Sequence, residues 1–276
     1  MKKSIVWLAS YPKSGNTWTR IFLSNYLLNA DKPVPINEAH RLAMGDSIAK
    51  TYRMVAGRPI DVRDVDLTLN LRDKVLQAIV RNGADVNLVK THNLRGTVRG
   101  VEMIPEKYTR SAVYVVRNPL DMVLSYARHY AMPVEQAVET ISHRDNGNAP
   151  TEETVAEFLG SWSDHVESWT SPSPYPVLVL RYEDLLDDPA PQFAKLVEHM
   201  GMTLDEDRLD RAIRFSSFKE VSKQEKAGGF VEKSAGSERF FAKGTRDQWK
   251  TDLGEDLARR LRRNHRDVMK RYGYLK

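Results

Sequence analysis

Four short apolar runs punctuate this 276-residue chain: Ile5–Ala9, Asn87–Lys90, Ala112–Val116 and Pro176–Leu180. Each is nearly continuous in aliphatic and β-branched residues, with no polar alternation. Such a strand buries both faces, as in a parallel sheet covered by helices on each side. Helical periodicity fills the gaps. Thr17–Leu28 reads as a helix, as do Asp73–Arg81, which ends at the stop signal Asn82-Gly83, and a segment opened by Asn118-Pro119 that runs to about Tyr130. Thr151–Trp169 follows, with Val155, Phe158, Leu159, Trp162, Val166 and Trp169 on one side, and then Pro189–Met200, Asp207–Ala212 and Glu255–Tyr272. The alternation predicts an α/β fold: a P-loop-type doubly wound parallel sheet of about four or five strands, flanked by helices.

No internal repeat or linker divides the chain, and residues 1–276 read as a single domain. The stretches around 31–75 and 131–160 read as insertions able to form a lid. Residues 224–239 (QEKAGGFVEKSAGSER) read as a mobile loop rich in glycine and charge. The first apolar run is too short for a signal-peptide core, and no run approaches the roughly 18 apolar residues of a membrane span. Without cysteine the chain has no disulfide, thiolate ligand or cysteine nucleophile, and cytoplasm is the default compartment. A net charge of +5 suits an anionic ligand and is weak evidence for nucleic acid. The basic run Arg259, Arg260, Arg262, Arg263, Arg266, Lys270 and Arg271 reads as the solvated face of a helix.

The ends of the strands carry the chemistry, because ligands of open α/β sheets bind where strand C-termini meet helix N-termini. The first run leads into Ser10-Tyr11-Pro12-Lys13-Ser14-Gly15-Asn16-Thr17-Trp18 and then a helix. This is not the Walker sequence G-x-x-x-x-G-K-[ST]. It still offers helix N–H groups, a glycine permitting close approach, a lysine, the Thr17 hydroxyl and a Trp18 ring able to stack on a purine. The other runs end in Lys90-Thr91-His92, Arg117-Asn118-Pro119 and Arg181-Tyr182-Glu183-Asp184. A metal-dependent P-loop kinase or NTPase, the alternative reading, wants a strand-end aspartate for Mg²⁺. Glu183 and Asp184 read more simply as caps or partners of Arg181. Arg117 and Ser125, eight residues apart, suit a phosphate held by a guanidinium and a hydroxyl. His92 has the position of a general base, though a lone histidine is more often a structural hydrogen bonder. No histidine spacing suggests zinc.

Taken together, these motifs resemble the family of sulfotransferases that use 3′-phosphoadenosine 5′-phosphosulfate (PAPS), and in particular its short bacterial members, such as those acting on glycopeptide antibiotics. Tyr11–Trp18 is similar to the family's YPKSGTTW loop, Lys90-Thr91-His92 to its K-T-H segment, and Arg117–Ser125 (RNPLDMVLS) to its 3′-phosphate element. Arg181–Asp184, Ser216-Ser217-Phe218, and Lys243-Gly244 with Trp249-Lys250 follow in family order.

The resemblance implies roles. Lys13 stabilises the leaving group. Ser14, Gly15, Asn16 and Thr17 hold the 5′-phosphate. Trp18 stacks on adenine, with Tyr182, Ser216 and Phe218 around the base. Arg117 and Ser125 hold the 3′-phosphate, closed over by Lys243 and Gly244. His92 takes the acceptor proton, and Lys90 supports the transferring group. PAPS is the implied cosubstrate, adenosine 3′,5′-bisphosphate the product, and no metal is required. The implied partner is a small-molecule or glycosylated hydroxyl acceptor, not a nucleic acid or a membrane; a homodimer is left open.

Three departures stand out. Asn16 replaces a threonine of the loop. Asn93-Leu94 replaces Leu-Pro after the histidine. Ala242 replaces the arginine before Lys-Gly, with Arg239 or Arg246 as candidate substitutes. Residues 40–54, 126–132 and 230–241 are candidate acceptor liners.

Overall fold

The structure is a computed structural model that describes residues 2–234 and 236–276, without the side chains of residues 39 and 40. Met1, Ala235 and the His40 side chain, which fall in ranges named above, lie outside the described residues. A five-stranded central sheet contains β1 (Ile5–Ser10), β2 (Ala43–Gly45), β3 (Asn87–Thr91), β4 (Thr109–Val116) and β5 (Val177–Arg181), in the order β2-β3-β1-β4-β5. β1 runs parallel to β3 with Ile5 opposite Asn87 and Ala9 opposite Thr91, and β2 runs parallel to β3 on its other side. All six residues of β1 are buried, which accounts for its unbroken apolar run. β2 was not expected. It is only three residues long and its Met44 is exposed, so it carries no apolar signature.

Helix α1 (Asn16–Leu28) follows β1 through the Tyr11–Gly15 loop. The Asp73–Arg81 periodicity is the second half of a longer helix, Val65–Val80, whose start is capped by Asp64 accepting the Leu67 N–H at 2.9 Å. Asn118 caps the Pro119–His129 helix in the same way.

The expected helix over Thr151–Trp169 is a correction. Helix begins only at Trp162 and runs to Thr170, with the Ser161 side chain as its cap. Upstream, Glu157–Phe158 pairs antiparallel with Gly147–Asn148, the Val155 N–H donates to Ser47 O, and Gly160 is left-handed at φ 68°. The apolar side chains are buried as their spacing implied, but the backbone takes distant partners, and long-range hydrogen bonds overrule helical periodicity. Glu255–Tyr272 likewise divides at His265 (φ −119°) into Glu255–Asn264 and Arg266–Arg271. Residues 224–228 belong to the helix Phe218–Gly228, so irregular backbone starts at Gly229.

Contacts group the chain into two compact units. One contains the described residues up to Tyr11, Ala43–Tyr114 and His143–Val179; the other contains Pro12–Leu42, Val115–Ser142 and Leu180–Lys276. No helix among the described residues is long and apolar enough to cross a membrane.

Candidate active site

The loop after β1 is built for close approach. Lys13 is left-handed at φ 67°, a conformation that costs a non-glycine residue about 1–2 kcal/mol. Gly15 sits at φ 111°, and a Cβ there would stand 2.7 Å from Cδ2 of Tyr182. Only glycine fits both constraints. Gly15 stands at the N-cap of α1 and provides no side-chain cap.

Arg117, at the end of β4, wraps the loop. Its Nη1 donates to Lys13 O at 3.0 Å and its guanidinium lies 4.4 Å from the Tyr182 ring centre. Tyr182 is therefore shared by Gly15, Arg117 and Trp18, whose ring meets it edge-on at 5.9 Å. Burial, followed by repulsion from Arg117, lowers the Lys13 pKa to about 7. Arg128, which belongs to none of the family motifs, adds to that repulsion, and its own pKa is lowered first by partial burial and then by Arg117.

Three buried polar atoms in this region have no hydrogen-bond partner among the described residues: Ser14 Oγ, Trp18 Nε1 and Arg117 Nε. Buried donors are normally satisfied, so a cluster of orphans marks a place where a polar ligand supplies the partner. A carboxylate already stands beside them. Glu232 accepts from Thr17 Oγ1 at 3.1 Å and from Arg20 Nη1 and Nη2 at 2.8 and 2.7 Å, much as a phosphate oxygen pair would. Neither Arg20 nor Glu232 belongs to a recognisable motif. Arg20 sits one turn after Asn16, whose side-chain oxygen accepts its Nε at 3.0 Å. Phe240 lies with its ring centre 3.5 Å from Lys13 Nζ, its backbone N–H held at 2.6 Å by the buried Glu225.

Ser125 is half-buried on the Pro119–His129 helix. Gly244 (φ 62°) is packed against Phe218, where a Cβ would meet the ring at 2.2 Å. Lys243 is paired with Asp252 at 2.5 Å. Ser216 is buried with its hydroxyl turned back on Ala212 O at 2.8 Å, so its side chain faces its own helix. Arg246 is paired with Asp187. Asp184 pairs with Arg181 at 2.7 Å, and Glu183 accepts the Asn118 N–H at 2.9 Å and the Tyr274 hydroxyl at 2.8 Å.

In the other unit, β3 delivers Lys90 and His92. His92 Nδ1 lies 2.7 Å from Ser10 O. A carbonyl only accepts, so Nδ1 carries the proton and the basic lone pair is on Nε2. Lys90 Nζ stands 3.8 Å from Glu157, a buried carboxylate also bonded by Ser47 Oγ at 2.8 Å and Asn148 Nδ2 at 2.7 Å. Asn93 takes up the departure after the histidine. Its amide donates to Asp46 at 3.0 Å and its oxygen accepts the Phe158 N–H at 2.8 Å. Asp46 in turn holds the buried Arg72 at 2.7 Å and the Thr91 hydroxyl at 2.9 Å. Sequence motifs show Lys90 and His92 but not Glu157, Asp46 or His165, because their partners lie tens of residues away.

A parallel sheet with a phosphate-type loop after its central strand, and cations at its strand ends, is the layout of a P-loop-like α/β fold. The chain belongs to the sulfotransferase domain family, whose model matches residues 3–273. It is 26% identical to cattle sulfotransferase 1A1 over 223 residues, 78% of this chain and 65% of that protein. It is 25% identical to the dog sulfotransferase 1A1 over 253 residues, covering 88% of this chain and 76% of the relative. The chain thus spans about two-thirds of the length of the first of these. Among solved structures, its fold is similar to retinol dehydratase in complex with androsterone and the inactive cofactor PAP (TM-score 0.67, 19% identity, 98% of this chain and 82% of that one). It is also similar to mouse sulfotransferase SULT7A1 complexed with PAP (TM-score 0.62, 18% identity, 98% and 86%).

Proposed function

We propose that this protein is a PAPS-dependent sulfotransferase that moves a sulfuryl group to a hydroxyl acceptor by in-line attack. The observation that carries this reading is the pair of orphaned donors, Ser14 Oγ and Arg117 Nε, beside Lys13. Those donors fit a nucleotide bearing a 5′-phosphosulfate. When bound, PAPS supplies the sulfuryl group to be transferred.

The chain's own residues do the rest. The Gly15–Thr17 backbone, with Ser14 and Asn16, binds the 5′ end, and Thr17 exchanges Glu232 for it. Lys13, charged once an anion is beside it, neutralises charge on the departing oxygen, a role that metal ions play in phosphoryl transfer. Trp18, Tyr182, Ser216 and Phe218 enclose the base; the inward hydroxyl of Ser216 limits it to packing. Arg117, Ser125, Lys243 and Gly244 hold the 3′-phosphate. With Arg246 paired to Asp187, Arg128 is the better replacement for the arginine lacking at Ala242. His92 accepts the acceptor proton at Nε2, and Lys90, steadied by Glu157, supports the transferring group.

We read residues 1–276 as one domain, with insertions at 31–75 and 131–160. The acceptor is a small hydroxyl compound: a phenol, an alcohol or a saccharide. Solved relatives contain androsterone and retinol. A cytoplasmic location belongs to the same reading, supported by the absence of cysteine.

Calorimetric titration tests the proposal. Tight binding of adenosine 3′,5′-bisphosphate without magnesium, weak binding of ATP, and sulfate transfer in a PAPS-coupled screen of phenols, sugars and steroids are expected. Magnesium-dependent ATP binding with no transfer overturns it in favour of a kinase.

A further inference from the structure

A second histidine lies directly behind His92. His165, on the Trp162–Thr170 helix, is completely buried. Its Nε2 is 3.0 Å from the backbone oxygen of His92, and its Nδ1 is 2.9 Å from the Tyr114 hydroxyl. The carbonyl only accepts, so Nε2 carries the proton; Nδ1 then offers a lone pair to the tyrosine O–H. Both ring nitrogens are thereby satisfied in one tautomer. We propose that His165 is a positioning residue that aims the His92 imidazole by holding the His92 carbonyl, with Tyr114 keeping the His165 proton on the donating nitrogen. This rests on the reading of His92 as the base.

The same helix holds the next carbonyl too. Trp169, one turn beyond His165, donates Nε1–H to Asn93 O at 3.0 Å, and its ring stacks on Tyr114 at 6.0 Å. The Asn93 side chain is tied to Asp46 and to the Phe158 N–H. Two successive peptide oxygens, at 92 and 93, are thus pinned by one helix, while His92 Nδ1–H is pinned to Ser10 O. With the carbonyl held behind it and Nδ1–H held in front, the imidazole has little rotational freedom left, and Nε2 is aimed. Tyr11 closes the pocket edge-on to the His165 ring at 5.3 Å. Burial also lowers the His165 pKa to about 4, opposed by the hydrogen bond to His92 O and then by Glu157, so the ring is neutral at pH 7. A histidine that only filled space would need none of these polar contacts.

The test uses the full chain with His165→Gln, His165→Leu and Tyr114→Phe. Gln places an amide donor near the carbonyl; Leu fills the space and cannot donate. Two readouts are taken. Nitrogen-15 NMR of the imidazoles reports the His92 tautomer without any acceptor, and turnover is followed with PAPS and 2-naphthol as probe acceptor.

In the parent, His92 is expected to show the Nδ1–H tautomer. The Leu variant is expected to mix tautomers and to lose about tenfold to a hundredfold in kcat, the scale of a small misplacement of a catalytic group. Its affinity for adenosine 3′,5′-bisphosphate should be unchanged. Gln should restore most of the rate, and Tyr114→Phe, a mild change that keeps the fold, should give a smaller loss. A folded Leu or Phe variant with parental His92 signals overturns the proposal. So does a parallel loss of nucleotide affinity and kcat, which marks a general structural role. Normal turnover in His92→Ala removes the base reading instead, and the NMR outcome then still decides whether His165 holds the ring.

Discussion

The two compact units handle charge in opposite ways. The Pro12–Leu42 unit gathers Lys13, Arg117 and Arg128, leaves donors unpartnered and puts a lysine in a left-handed backbone. Its electrostatic cost is visible in Lys13, whose pKa falls from 10.5 to about 7 through burial and repulsion. In the unit containing β3 the polar groups around His92 are paired instead, although Asp46 Oδ1 has no partner among the described residues. His92, His165, Asn93, Asp46 and Glu157 each have named partners. A site that binds an anion has to hold unmet donors until the anion arrives, whereas a site that takes a proton has to hold one nitrogen in place. Under the proposed function, unmet donors beside Lys13 and paired groups around His92 suit those two tasks.

His92 separates the two units most sharply. His92→Ala should lower kcat by about 100- to 10,000-fold, the usual contribution of a positioned base, with bisphosphate affinity intact. Transfer assays beside calorimetry check this, and an unchanged kcat ends the division of labour. Arg117→Ala should show the reverse pattern. Losing a charge-assisted contact and the clamp on Lys13 O should weaken bisphosphate binding by about tenfold to a hundredfold.

Gly15→Ala asks whether the loop's shape matters by itself. The strain at φ 111° and the collision with Tyr182 should cost about 1–3 kcal/mol, read as a Tm several degrees lower.

Proton linkage gives a finer test. Free Lys13 is mostly neutral at pH 8, and an anion beside it raises its pKa. Bisphosphate binding at pH 8 should therefore take up nearly one proton, measurable by calorimetry in buffers of different ionisation heat, and affinity should fall as pH climbs above 7. Without ligand the sign reverses. Between about 7 and 10.5 the folded chain holds fewer protons than the unfolded one, so Lys13 makes stability rise with pH there. No proton uptake, with flat affinity, would place the Lys13 ammonium outside the anion site. Glu232→Gln should have the smallest effect: removing a carboxylate from Thr17 and Arg20 should tighten bisphosphate binding a few-fold, and weaker binding would show that Glu232 instead braces the loop.

Much of this was legible in the residues. The strands β1, β3 and β4 carry continuous apolar runs because their faces are buried, β5 carries one although only Leu180 in it is fully buried, and the candidate site residues follow those runs at the strand ends. β2 escaped notice because Ala43-Met44-Gly45 is short and half exposed. The stretch before Trp162 misled because burial spacing survives there while the backbone pairs with Ser47, Asn93 and Asn146. On the nucleotide side, Ser216 was assigned by motif, but its hydroxyl serves its own helix.

Local chemistry written along the chain determined the fold class, the strand-end cations, the glycine needed in the loop after β1, and the family. Those features depend on neighbours a few residues apart, and apolar runs, caps and a loop between strand and helix are all of that range. Tertiary structure alone decided that Glu232 reaches Thr17 across 215 positions of chain, that His165 stands behind His92, and that Asn93 takes over the site of a hydrophobic residue as a hydrogen-bonding hub. Burial and charge proximity depend on which distant segments pack together. The pKa of Lys13 and the tautomers of the two histidines therefore became readable only once the chain was folded.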